Sequence, residues 1–297
     1  GYAYMVPKHP KAGGEFTFAK QCFGQKAAYI CGWFLVAAYL TNVPMNSTAI
    51  PLIIEGLFGE GVLNWGGLGY TVAGSNVSIG GIVIACSILI LFAVLNILGV
   101  KKAGFIQTIL AGLLVTSAVV LCIGGIISAI NNGVNFEPIW GFNKQMVIEN
   151  GTYNDSMANT NIASSILATF AIAPWAFVGF DSIPQVSEEF NFSLKKVIFI
   201  MVIAILFGCF VYISNNTVCA IALENWPEEC ANGKWVVLIA AEKLLGPFGK
   251  IIVGIGVSCA VLSGIMGFYL ASSRLMYSMA IEGYLPKFFG KIDHKYG

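Results

Sequence analysis

Six stretches of this sequence, residues 27–54, 61–100, 103–136, 156–180, 197–223 and 251–273, contain no Asp, Glu, Lys or Arg. A helix that crosses the hydrocarbon core of a bilayer needs about 20 mostly apolar residues, and each run is long enough. Their composition is helix-like, and peptide groups in lipid must satisfy one another within the segment. Trimmed for Gly-rich and Asn-rich ends, the runs predict helices over 26–54, 78–99, 103–130, 160–186, 195–223 and 247–284, the last reaching beyond the bilayer. The expected fold class is an all-α membrane protein with one transmembrane domain, residues 1–297, and about six complete spans.

Composition agrees. Charged residues are 10% of the chain, against about 25% in soluble domains, too few to coat a water-facing globule. The 34 glycines and 13% aromatics suit helices packed in lipid. A net charge of +1 gives no reason to expect nucleic acid or an acidic partner. The cysteines at 22, 31, 86, 122, 209, 219, 230 and 259 include no C-x-x-C pair, so zinc or redox motifs have no support. Most lie in apolar windows and read as small apolar residues; Cys219 and Cys230 flank one loop and are spaced for a disulfide. His9 and His294 are the only histidines. With no G-x-S-x-G, H-E-x-x-H or Walker A pattern, neither an enzyme nor an ATP-driven pump is expected, and no resident cofactor.

Gly1 to Val6 is apolar and runs into Pro7-Lys8-His9-Pro10, which reads as the tail of a span that begins upstream. Alternate loops differ sharply in positive charge. Lys8, Lys11, Lys20, Lys26, Lys101, Lys102, Lys195, Lys196, Arg274, Lys287, Lys291 and Lys295 fall on one side, and Lys144, Lys234, Lys243 and Lys250 on the other. Positive charge favours the cytoplasm. Residues 1–26, 100–103, 187–195 and 285–297 are therefore expected inside, with outer loops near 55–77, 131–159 and 224–246.

Ala171-Ile172-Ala173-Pro174-Trp175-Ala176-Phe177-Val178-Gly179-Phe180-Asp181 lies where a continuous helix should cross. Pro174 has no N–H, and its ring collides with the carbonyl of Phe170. Gly179 adds a flexible point five residues later. Carbonyls between the two lose helical partners and must face protein, water or a ligand. A broken helix at the midplane favours a cation through bare carbonyls and the negative end of the half-helix; a plain proline kink in a packed bundle is the other reading. A carboxylate at membrane depth is costly and defaults to function, so Asp181 is a candidate gate or protonatable coupling group, or else a cap on the cytoplasmic half-helix.

Tyr39, Asn42 and Asn46 share one helical face at i, i+3 and i+7, bordered by Met45 and bent by Pro44. The asparagines bind either a neighbouring helix or a substrate side chain. The last span holds Ser258, Ser263, Gly264, Gly267, Phe268, Ser272 and Ser273. Small residues there permit close helix packing, or Ser263 offers a hydroxyl to a sodium ion.

Three stretches carry a resemblance to the amino acid–polyamine–organocation superfamily of permeases. Pro10-Lys11-Ala12-Gly13-Gly14-Glu15-Phe16, with Phe23-Gly24 beyond, resembles the loop after the family's second span. Trp175 to Asp181, followed by Glu188-Glu189, is similar to its interrupted sixth span. Ser273-Arg274-Leu275-Met276-Tyr277-Ser278-Met279-Ala280 through Glu282-Gly283-Tyr284-Leu285-Pro286 resembles the end of its eighth. The resemblance covers essentially the whole chain, which would run from the end of span two to just past span eight. It implies the leucine-transporter (LeuT) type of fold, with inverted repeats in which 26–54 and 247–284 are counterparts.

By that resemblance the substrate amino group rests on carbonyls near Trp175 and Val178, with Ala173 and Ala176 adjacent. Trp175 and Phe268 match gating aromatics, Asn42 and Met45 match positions that contact the substrate side chain, and Asp181 matches an acidic gate. Some proton-coupled relatives carry a lysine in the fifth span; residues 103–130 have none, and Leu114 stands at the corresponding place. That leaves sodium, a different proton carrier such as Asp181, or exchange without an ion. The implied activity is import or exchange of amino acids across the plasma membrane by alternating access. An amine or polyamine transporter, a sensor or channel that keeps the permease fold, and a membrane subunit supporting a partner remain open.

Overall fold

The computed structural model describes residues 2–9, 11–72, 75–132, 148–149, 152–153, 162–185, 194–223 and 235–292. Two short helices, α1 (Tyr2–Lys8) and α2 (Gly14–Phe23), lead to the long α3 (Gln25–Phe58). Strands β1 (Gly69–Val72) and β2 (Ser75–Ser78) form a hairpin before α4 (Ile79–Ile97) and α5 (Val100–Asn132). A second small hairpin pairs β3 (Ile148–Glu149) with β4 (Thr152–Tyr153). Then come α6 (Ile162–Ala176), α7 (Ser182–Gln185), α8 (Leu194–Ala222) and α9 (Val236–Ile281). Among the described residues, the regular structure is helical apart from the two hairpins.

Among the described residues five helices are long and apolar enough to cross a membrane: α3, α4, α5, α8 and α9. The expected crossing over 160–186 is the difference. It is split into α6, of 15 residues, and the single turn α7. Pro174 does not make the split. It lies inside α6, which continues to Ala176, and the chain leaves the helix over Phe177–Asp181. Gly179 sits there at φ 120°, a conformation that suits a residue without Cβ.

Three other boundaries moved. The outer loop expected over 224–246 holds the first part of α9, because Val236 to Leu245 is already apolar and helical despite Glu242 and Lys243. The helix turns at Gly246 (φ 72°, ψ −172°), and Pro247 starts the membrane-length part. At the other end α9 stops at Ile281, three residues short of the expected 284. Likewise α3 passes Glu55 and ends at Phe58 rather than 54. The possible Cys219–Cys230 pairing falls on Cys230, and the end of the sixth-span motif on Glu188-Glu189; all three lie outside the described residues.

Helix α9 packs lengthwise on α3 and α5. Their shared core contains Val36, Tyr39, Ile265, Phe268, Leu275 and Met279, with Phe16 of α2 closing one end. Small residues set the spacing: a Cβ on Gly256 would overlap the Ser117 side chain of α5, and one on Gly254 would overlap Leu57 of α3. Helix α8 is the opposite case. Only 11% of its most apolar window is buried, and Phe199, Ile203, Leu206 and Phe210 point outward. In water such a surface would aggregate; in a bilayer it is the lipid face.

Candidate functional site at the broken helix

The break between α6 and α7 is organised by hydrogen bonds from three directions. Within it, Phe177 N–H donates to Pro174 O (3.3 Å) and Val178 N–H to Trp175 O (3.2 Å), so two tight turns replace the helical pattern. From α8, Tyr212 Oη donates to Ala176 O at 2.6 Å. Ser182 N–H donates to Gly179 O at 3.0 Å and begins α7. Among the described residues, the carbonyl oxygen of Val178 accepts no hydrogen bond. Peptide oxygens at membrane depth need a partner, and this one is placed to take a donor from water or from a ligand.

Asp181 closes the turn on itself. Its Oδ1 accepts from Gly179 N–H at 2.8 Å, and its Oδ2 accepts from Tyr39 Oη of α3 at 2.6 Å. Tyr39 is 1% exposed, and its ring lies 6.0 Å from that of Phe268 on α9. Phe268 in turn approaches the break: a Cβ on Gly179 would stand 3.9 Å from Phe268 Cζ. Thus Asp181, Tyr39, Gly179 and Phe268 form one cluster drawn from the break, α3 and α9.

Other sequence candidates lie around this cluster without joining it. Trp175 is 58% exposed and Met45 is 50% exposed; Val178 is also exposed, and Ala173 and Ala176 are half-buried on the same turn of chain. Asn42 and Asn46 turn their amides onto their own helix, donating to Ala38 O and Asn42 O, each at 2.8 Å. Asn46 also borders Gly264 of α9 across the helix interface. Ser263 meets Gln107 of α5, whose Nε2 lies 3.3 Å from the serine Oγ.

Four polar residues at these contacts were not singled out from sequence. Tyr212 and Gln107 sit inside apolar runs, where an isolated polar side chain was the available signal. Glu15 stands in the Gly13-Gly14-Glu15 motif, and Gln185 follows the break. Gln185 is fully buried, and its Nε2 donates to Glu15 Oε2 at 2.6 Å. Burial pushes the Glu15 carboxyl up to about 7; the charge of Asp181 adds to the rise, while backbone, Tyr2 and Gln185 donors oppose it.

Discontinuous membrane helices are where many transport proteins build their substrate sites. A family model described as amino acid permease matches residues 2–297, and the chain belongs to that family. Three relatives illustrate its breadth. The chain is 27% identical to the human large neutral amino acids transporter small subunit 2, over 99% of this chain and 50% of the relative. It is 25% identical to the serine/threonine exchanger SteT of Bacillus subtilis, over 96% and 57%. It is 23% identical to the vacuolar cationic amino acid transporter 4 of Arabidopsis thaliana, over 98% and 46%. The chain spans about half the length of these relatives.

Proposed function

We propose that the full-length protein imports or exchanges amino acids by alternating access, with the broken helix as the binding element. The observation that carries this reading is the unpartnered Val178 carbonyl in the break, one residue from Gly179 and three from Asp181. A substrate ammonium donates to Val178 O and takes up the negative end of the α6 half-helix. Trp175 and Ala176 line that turn with Ala173 below it, and Asn42 and Met45 face the substrate side chain. Phe268, already stacked near Tyr39, closes one side with Trp175 as its partner. Asp181 acts as the gate: it holds Gly179 N–H and Tyr39 together, and a shift of either group reshapes the turn.

The relatives named above carry cationic, small hydroxylated and large neutral amino acids in their names, so the substrate class proposed here is the α-amino acid, without choice of side chain. Its location is the plasma membrane, although one relative is vacuolar. Coupling to sodium through Ser263, coupling to protons through Asp181, and ion-free exchange are separated by one measurement. Full-length protein in proteoliposomes is given a radiolabelled amino-acid mixture, with and without sodium and a proton gradient. Saturable uptake is the expected result, and its dependence names the ion. Correctly inserted protein that moves no amino acid would overturn the reading and turn attention to amines or to a sensor.

A further inference from the structure

Glu15 and Asp181 lie at opposite ends of one buried polar chain. Gln185 Nε2 donates to Glu15 Oε2 at 2.6 Å and lies 3.5 Å from Tyr39 Oη; Tyr39 Oη donates to Asp181 Oδ2 at 2.6 Å. The chain joins four elements: α2, α7, α3 and the turn before α7. The sequence makes room for it. Gly14 is at φ 39°, and a Cβ there would stand 2.8 Å from Gln185 Nε2, so the glycine lets α2 seat against the glutamine. Ser278 of α9 holds the preceding turn, donating to Ala12 O at 2.9 Å, and Lys20 at the far end of α2 pairs with Glu282, the residue just past α9.

The chain is incompletely satisfied at its Glu15 end. Glu15 Oε1 and Gln185 Oε1 are both buried without a hydrogen-bond partner. A buried carboxylate with so few donors is poorly solvated. Gln185 meets either protonation state: its N–H2 serves the carboxylate, and rotation of the amide by half a turn presents Oε1 to a protonated carboxyl. The groups facing Glu15 are Tyr2 of α1, Cys31 and Tyr39 of α3, Asp181 of the break and Gln185 of α7. None of these is a cation; burial and the charge of Asp181 favour the neutral acid, against the Tyr2 and Gln185 donors.

We propose that Glu15 is a protonatable latch, which holds the inner half of the broken helix closed when neutral and releases a proton when that half moves away. The inference rests on the transport reading, since the moving part is α7. Separation of α7 from α2 breaks the Glu15–Gln185 bond and lets water reach the carboxyl, which then ionises. Proton release is thereby tied to opening of the break on the α2 side. The reverse movement takes the proton back, and Tyr39 carries the change to Asp181.

The test uses full-length protein in proteoliposomes and two readouts. The first is uptake of a radiolabelled amino-acid mixture as pH on the α2 side is stepped across neutrality. Wild type is expected to change severalfold; Glu15→Gln is expected to flatten the profile, and Glu15→Asp to restore part of it. The second is the infrared carbonyl stretch of protonated carboxyls, which does not require transport. A band is expected to disappear across neutrality in wild type and to be missing in Glu15→Gln. If Glu15→Gln does not insert, Gln185→Leu replaces it: loss of the amide donor should move the titration to higher pH. Uptake in wild type with a pH profile and infrared band unchanged by these variants would overturn the latch and leave the transport reading standing. Absence of uptake with a titrating Glu15 band would overturn the transport role alone.

Discussion

At the scale of single residues, the Tyr39–Asp181 hydrogen bond is the contact most exposed to test. Tyr39 is buried, so Tyr39→Phe removes one hydroxyl and leaves the ring beside Phe268. A hydrogen bond to a buried acid contributes about 1–2 kcal/mol, and its loss should lower uptake on the order of tenfold. Thermal unfolding of the purified protein would show whether the loss falls on the fold instead. Trp175 gives the contrasting case. It is exposed, so Trp175→Ala should leave folding and membrane insertion within about 0.5 kcal/mol of wild type. If Trp175 gates the site, uptake falls; wild-type uptake removes it from the gate.

The residue scale also shows what sequence can and cannot reveal. Asp181 stood out because a carboxylate interrupts an apolar run, and Tyr39 because it shares a face with two asparagines. Their partnership spans 142 positions, and neither residue's surroundings in sequence contain the other. Gln185 was invisible for the same reason. Its role comes from Glu15, 170 positions away, and a glutamine after a helix break resembles any polar loop residue.

At the scale of elements, charge-free runs located the long helices well, because the cost of charge in lipid acts on each segment separately. Ends were less legible. Glu55 closes a run but not α3, since a helix continues past the apolar core into the interface, where a carboxylate is solvated. Glu242 and Lys243 similarly concealed the first part of α9, whose Glu242 pairs with Lys250 at 2.8 Å beyond the Gly246 turn. Pro174 and Gly179 bracketed the break, and the chain leaves the helix between them, at Phe177; the proline itself stays inside α6, since it costs one hydrogen bond and neighbouring helices can absorb that loss in a membrane. The turn itself depends on Gly179. Gly179→Ala forces a Cβ into φ 120°, a strain of about 1–3 kcal/mol. Substrate binding by the purified protein should weaken by on the order of tenfold or more, with α3, α4, α5 and α9 still folded by circular dichroism.

For the whole molecule, the consequential quantity is the raised pKa of Glu15. Its carboxyl moves from 4.5 to about 7 in the fold. The neutral acid is the form the fold accepts, so this stabilisation is fully present below the unfolded value of 4.5 and is lost as pH rises to about 7. Melting temperature in detergent should therefore decline over that window, and Glu15→Gln should lose this part of the decline. A slope identical in both proteins would assign the pH dependence to other groups.

Tyr212 ties the break to α8, whose apolar outward face suits hydrocarbon. A helix in that position answers to the thickness of its host: shorter acyl chains make it tilt more and longer ones ask it to stand straighter. Because Tyr212 Oη holds Ala176 O, any such reorientation pulls on the chain at the proposed substrate site. Acyl-chain length then becomes a variable of transport. Uptake measured in vesicles of graded chain length should pass through an optimum, and Tyr212→Phe should broaden it.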